Sequence, residues 1–172
     1  MSLDQDTLNQ LLDTIRRFVR NRLMPLEEQV ASTDQIPESV ISEMRELGLF
    51  GLTIPEEYGG LGLNTEEECK VAIELGYTSA AFRSVIGTNN GIGSQGLVMD
   101  GTDDQKENYL PRLASGEIIG SFALTEPNVG SDSANVQTKA EKDGDSYILN
   151  GTKRWITLSL IHISEPTRRR HI

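Results

Sequence analysis

The stretch Glu117-Ile118-Ile119-Gly120-Ser121-Phe122-Ala123-Leu124-Thr125-Glu126-Pro127-Asn128-Val129-Gly130-Ser131-Asp132 is where the chain changes character. Before it, apolar residues recur at three- and four-residue steps, the period of a helix; from Ile118 to Leu124 they run together as in a buried strand. Beyond it, Val136, Thr138 and Ala140 alternate with Gln137, Lys139 and Glu141, the period of a strand. Asp143-Gly144 and Asn150-Gly151 are turn signals on either side of Tyr147-Ile148-Leu149, and the run from Thr152 to Thr157 reads as a further strand. The expected fold class is α+β: an all-α amino-terminal helical domain over 1–117, then the first strands of a β-domain over 118–157.

Within the helical part, Leu8, Leu11, Leu12, Ile15, Phe18, Val19 and Leu23 make one apolar stripe on a helix that Pro25 helps to end. Arg16, Arg17, Arg20 and Arg22 lie mostly off that stripe and read as a solvated face rather than an anion site. A second helix opens near Pro37 and runs through Val40, Ile41, Met44 and Leu47 to Gly48. Thr65 with Glu68, and Thr102 with Gln105, have capping-box spacing, placing helices that end near Gly76 and by Pro111.

Composition narrows the function classes. The 172 residues carry a net charge of −10, which argues against a surface that neutralises phosphates, so no nucleic-acid role is assigned. Three Arg and one Glu stand in residues 158–172, leaving a still more acidic remainder. No apolar run approaches the ~18 residues of a membrane span and no leader pattern opens the chain, so no membrane role is assigned and the default compartment is cytoplasmic. Cys69 is the sole cysteine. It reads as a small half-buried side chain, and its lack of a partner suits a reducing compartment. No metal site is assigned.

Three motifs invite a chemical reading. Gly91-Ile92-Gly93-Ser94-Gln95-Gly96 fits G-x-G-x-x-G, but a dinucleotide site needs a strand ending at the first glycine, and the context here is helical. Close packing or a loop is the better reading. Phe122 to Asp132 takes an apolar run into a polar turn that can present hydroxyls and backbone N–H groups, with Gly130 admitting a ligand to the main chain. Lys153-Arg154-Trp155-Ile156-Thr157, as a strand, would put Trp155 and Thr157 on one face and Ile156 on the other. Taken singly, the second is an ordinary strand-ending loop and the third a core tryptophan.

Together they say more. L-T-E-P-x-x-G-S-D followed about 25 residues later by W-I-T resembles the flavin-dependent acyl-CoA dehydrogenase family, and the likeness takes in Ile54-Pro55-Glu56-Glu57-Tyr58-Gly59-Gly60 and Gly101-Thr102-Asp103-Asp104-Gln105. The resemblance implies a helical amino-terminal domain, a small central β-barrel and a later helical bundle. It implies FAD as cofactor and an acyl-CoA substrate: a carboxylate removes the α-proton, the β-hydrogen leaves as hydride to the flavin, and a trans-2-enoyl-CoA remains. By motif position, Phe122, Ala123, Leu124 and Thr125 would border the flavin ring, Gly130 and Ser131 would meet its pyrophosphate, and Ser131 also the substrate thioester region. Trp155, Ile156 and Thr157 would complete the ring contacts, with Thr157 near the reactive nitrogen.

The family's catalytic base is a glutamate of the later domain, so no catalytic residue is assigned, and Glu126 is given a structural part. The resemblance further implies electron-transfer flavoprotein as acceptor and a homo-oligomeric parent. Leu158-Ser159-Leu160-Ile161-His162-Ile163-Ser164-Glu165-Pro166-Thr167-Arg168 departs from the family pattern and looks like a translated sequencing adapter. Residues 158–172 are therefore expected to be an artefactual tail, and the chain an inactive fragment of its parent. Alternatives are an oxidase or monooxygenase on the same fold, and a non-catalytic helical interaction module.

Overall fold

The computed structural model describes residues 3–158. These divide between Gly120 and Ser121 into two compact units, and the first is entirely helical. Helix α1 (Gln5–Phe18) starts where the Asp4 carboxylate accepts the amides of Asp6 and Thr7 at 3.0 and 2.9 Å, satisfying donors that an uncapped helix leaves orphaned. Its stripe buries Leu8 and Ile15, and the line continues through Val19 and Leu23 on one π-helical turn, Val19–Leu23.

Pro25 does not end the helical course. It occupies a 3-10 turn, Met24–Leu26, that leads into α2 (Glu27–Thr33), which stops at Asp34 in the left-handed region. A proline lacks a donor, and the first turn of a helix is where that donor is not needed, so Pro25 opens a helix as readily as it closes one. Two of the arginines are likewise more engaged than a solvated face implies. Arg16 reaches Glu74 of α4 (Thr65–Leu75) at 2.5 Å, and Arg22 reaches Glu43 of α3 (Glu38–Glu46) at 2.7 Å.

Helix α3 buries Val40, Ile41 and Met44. Helix α4 is capped one residue earlier than expected: Asn64, not Thr65, accepts the amides of Glu66 and Glu67, and Glu67 returns a carboxylate to the Asn64 amide. Cys69 is exposed on this helix rather than half-buried. Helices α5 (Ala80–Asn90), α6 (Gln95–Asp100) and α7 (Asp103–Ala114) complete the unit. Thr102 and Gln105 form the expected box at the start of α7, but the helix runs through Pro111 to Ala114. Burial of Leu110, Leu113 and Ala114 on both sides of the proline offsets the one helical bond it cannot make.

The main core gathers Ile15, Val19, Leu23, Val40, Met44, Phe50 and Phe82, all nearly inaccessible, and a smaller cluster centres on Ile54 and Leu110. Gly91 to Ser94 is the turn between α5 and α6, not a nucleotide-binding strand-to-helix loop. A Cβ on Gly93 would lie 2.6 Å from the Thr88 carbonyl oxygen, so the glycine there serves close backbone packing.

The second unit holds one antiparallel hairpin, β1 (Lys139–Asp143) with β2 (Ser146–Asn150), registered Lys139 opposite Asn150 and Asp143 opposite Ser146. Gly144, with φ +61°, begins its two-residue turn. The expected strands over Ile118–Leu124 and Thr152–Thr157 do not form: neither stretch pairs in a ladder. Trp155 has φ +55°, which no strand residue adopts, so the alternation expected for Trp155, Ile156 and Thr157 is absent. Tyr147, Ile148 and Leu149 are each about half exposed, and the hairpin has no buried face. Among the described residues, no helix is long and apolar enough to cross a membrane.

Candidate functional site

The motif turn is built first by its own backbone. The Glu126 amide donates to the Val129 carbonyl at 2.9 Å, and the Val129 amide returns a bond to the Glu126 carbonyl at 3.2 Å. Pro127 and Asn128 are the two corner residues, the positions in a tight turn that favour a fixed φ and a short polar side chain. Val129 and Glu126 are both buried while Pro127 and Asn128 face solvent.

The Glu126 carboxylate then fastens three stretches of chain together. Oε1 accepts the Thr138 amide at 2.9 Å, the Thr138 hydroxyl at 2.5 Å and Lys153 Nζ at 2.9 Å; Oε2 accepts the Gln137 amide at 2.7 Å. The Thr138 hydroxyl, the Lys153 ammonium and the two backbone amides outweigh burial and hold the carboxyl down to about 2. A carboxylate so fully occupied is a poor proton acceptor, which suits the structural part expected of it.

Lys153 has a second acceptor, the Leu124 carbonyl at 3.1 Å, and the Arg154 amide donates to the Thr125 carbonyl at 2.9 Å. The two sequence motifs, 27 residues apart at Glu126 and Lys153, thus lie side by side. Hairpin closure accounts for this proximity, since β1 and β2 return the chain to where it left. At the hairpin base Gly151 meets Thr138 so closely that a Cβ would fall 2.1 Å from Oγ1.

Phe122 is 48% exposed and Ala123 is also open, while Leu124 and Thr125 are half-buried beside Lys153 and Arg154. Gly130 has no atom within 4 Å of where a Cβ would sit, and Ser131 beside it is exposed. Trp155 is 83% exposed; Ile156 is half-buried and Thr157 exposed. The structure therefore brings Leu124 and Thr125 against 153–154, while the side chains of Trp155 and Thr157 do not share a strand face. Sequence reasoning missed Gln137, Thr138 and Lys153 as the partners of Glu126. A lysine two residues before the tryptophan was the one visible hint, an opposite charge in a neighbouring motif.

The residue types are those a flavin nucleotide could use: exposed apolar and aromatic surface at Phe122, Ala123 and Trp155, hydroxyls on Thr125, Ser131 and Thr157, and open main chain at Gly130. Two family models match the sequence. Residues 5–117 match the acyl-CoA dehydrogenase N-terminal domain, and residues 121–163 match the acyl-CoA dehydrogenase middle domain. The chain belongs to the acyl-CoA dehydrogenase family. The second match takes in the first residues of the 158–172 stretch expected to be foreign; beyond Leu158 that stretch lies outside the described residues.

Among the relatives of this chain is (2S)-methylsuccinyl-CoA dehydrogenase of Cereibacter sphaeroides, 41% identical over 158 residues, which are 90% of this chain and 28% of the relative. An acyl-CoA dehydrogenase of Bacillus anthracis solved in complex with FAD superposes with a TM-score of 0.79 at 34% identity, over 88% of this chain and 26% of that one. A chain from a structure of the electron transferring flavoprotein of Acidaminococcus fermentans gives 0.81 at 33% identity, over 91% and 41%. The chain spans between 28% and 38% of the length of the curated relatives it matches.

Proposed function

We propose that this chain is the amino-terminal part of an FAD-dependent acyl-CoA dehydrogenase that converts an acyl-CoA thioester to its trans-2-enoyl product. Its helical domain, 1–117, would be the family's amino-terminal domain, and its partial middle β-domain, 118–157, would carry one wall of the flavin site. The observation that supports this reading is the bond from the Arg154 amide to the Thr125 carbonyl, 2.9 Å, which joins the two runs whose sequence resembles the family's flavin motifs.

Phe122, Ala123, Leu124 and Trp155 would exclude water from the ring, with Ile156 supporting them from its half-buried position. Thr125 and Thr157 would offer hydroxyls to ring heteroatoms, and Gly130 and Ser131 a main-chain amide and a hydroxyl to the pyrophosphate, Ser131 also reaching toward the thioester. FAD, when bound, supplies a two-electron acceptor for hydride. Removal of the α-proton needs a base; Glu126 is committed to four donors, and the family resemblance would put the base in a later domain, so this chain alone would neither hold FAD tightly nor turn over. An electron-transfer flavoprotein would reoxidise the full protein, a homo-oligomer, in the cytoplasm.

The test is made on the full-length protein encoded by the reading frame that carries this chain. It should purify with flavin absorbance, reduce a dye with acyl-CoAs, and hand electrons to an acceptor protein faster than to oxygen. Rapid reaction with oxygen would favour an oxidase or monooxygenase of the same fold. Absence of both FAD and acyl-CoA oxidation would leave a helical interaction module. Residues 1–172 alone should be colourless, and stoichiometric flavin with enoyl-CoA formation there would refute the assignment of the base elsewhere.

A further inference from the structure

We propose that Glu126, through Lys153 and Thr138, is a positioning residue that sets the register of the two cofactor-bearing segments, so that flavin affinity depends on a carboxylate that never touches the flavin. This deepens the flavin reading above and rests on it. Glu126 is 4% exposed, and its four donors come from two separate stretches: Gln137 and Thr138 where the chain enters β1, and Lys153 where it leaves β2. Its own backbone closes the turn that presents Gly130 and Ser131. Lys153 continues the linkage to the Leu124 carbonyl, and the adjacent Arg154 amide to the Thr125 carbonyl.

A displacement of either segment would have to break a charge-assisted bond in a buried place, where such bonds are strongest and an unpaired partner is most costly. Hairpin pairing alone does not supply this restraint. The ladder stops at Lys139 and Asn150, and the segments that bear Thr125, Ser131 and Trp155 lie outside it. Loss of the carboxylate would leave the Lys153 ammonium facing two amides with no counter-charge, whereas loss of both charges removes that conflict.

The experiment measures FAD dissociation from the full-length protein by flavin fluorescence, with the absorption maximum of the bound flavin and the melting temperature of the FAD-free protein recorded in parallel. Glu126→Gln and Lys153→Met should each raise the FAD Kd by about tenfold or more and shift the flavin maximum. The double variant should bind better than the product of the two single effects, and Lys153→Arg should restore most of the loss. Thr138→Val keeps both charges and removes one donor; it should weaken binding by roughly threefold, and it decides the matter should the charge variants fail to fold. Unchanged Kd and spectrum in folded variants, with wild-type flavin binding intact, would overturn the positioning role alone. A wild-type protein without affinity for FAD would overturn the flavin reading itself.

Discussion

Asn89 accepts the amide of Gly120 through Oδ1 at 2.6 Å, although 31 residues separate them. Its Nδ2 is equally occupied, donating to the carbonyls of Leu113 and Ile118 at 3.0 and 3.1 Å. The side chain is fully buried at the end of α5. It therefore replaces ladder or helix bonds for a stretch of backbone that has neither, tying the chain after α7 back onto the helical unit.

Asn89→Ala should destabilise that unit by about 2–4 kcal/mol, because it orphans buried backbone groups at both ends of the carboxamide. Asn89→Asp should cost at least as much, since a carboxylate would face the carbonyls of Leu113 and Ile118. Urea denaturation followed by circular dichroism checks both. A change below about 0.5 kcal/mol, the range of an ordinary surface substitution, would contradict the bonding described.

At the start of α4, Asn64→Ala should cost about 1 kcal/mol, whereas Thr65→Ala should be nearly neutral. Glu67→Gln should also destabilise, because its carboxylate accepts the amides of Asn64 and Leu3, both at 2.9 Å. The same urea titrations rank the three variants, and equal losses at Asn64 and Thr65 would argue against the Asn64 cap.

The Glu126 carboxyl, held near 2 against an ordinary value of 4.5, makes local stability depend on acid. Its folded pKa lies below the unfolded one, so its contribution is complete above about 4.5, declines as pH falls, and is gone below about 2. The side-chain carboxyl resonance should titrate with a midpoint near 2 in the folded chain. In Thr138→Val the midpoint should rise, the hydroxyl being the largest cause of the depression. A wild-type midpoint near 4.5 would mean that the four bonds do not form.

Two glycines of the second unit should respond oppositely. Gly151→Ala drives a Cβ to 2.1 Å from the Thr138 hydroxyl and should open the base of the hairpin, speeding exchange of the Lys139 and Asn150 amides. Gly130→Ala meets nothing within 4 Å and should leave the fold unchanged. In the full-length protein it should nevertheless weaken FAD, if a ligand approaches the main chain there. Equal hydrogen exchange in both variants would remove the contrast.

The helices were legible because their information is local. The stripe through Ile15, Val19 and Leu23, and the Thr102–Gln105 box, each lie within a turn or two of the backbone they organise. The one-residue slip at Asn64 has the same origin: Asn and Thr both serve as caps, Glu67 and Glu68 both stand in reach, and only geometry chooses between them. The expected strands failed for a different reason. Alternation specifies which face a residue would take if a neighbouring strand were present, and pairing is a non-local event that Ile118–Leu124 and Thr152–Thr157 do not find among the described residues. The anchors of Glu126 were invisible for similar reasons, its donors standing 11, 12 and 27 residues away.

The exposure of Trp155 has an optical consequence. It is the single tryptophan of the chain and 83% open to water, so its emission should be red-shifted and readily quenched by iodide even in the folded protein. Melting of the helical unit should pass almost unseen in that emission while ellipticity collapses. Flavin absorbs where tryptophan emits, so a ring seated against Trp155 should extinguish the same signal, making this residue a natural reporter of occupancy rather than of folding.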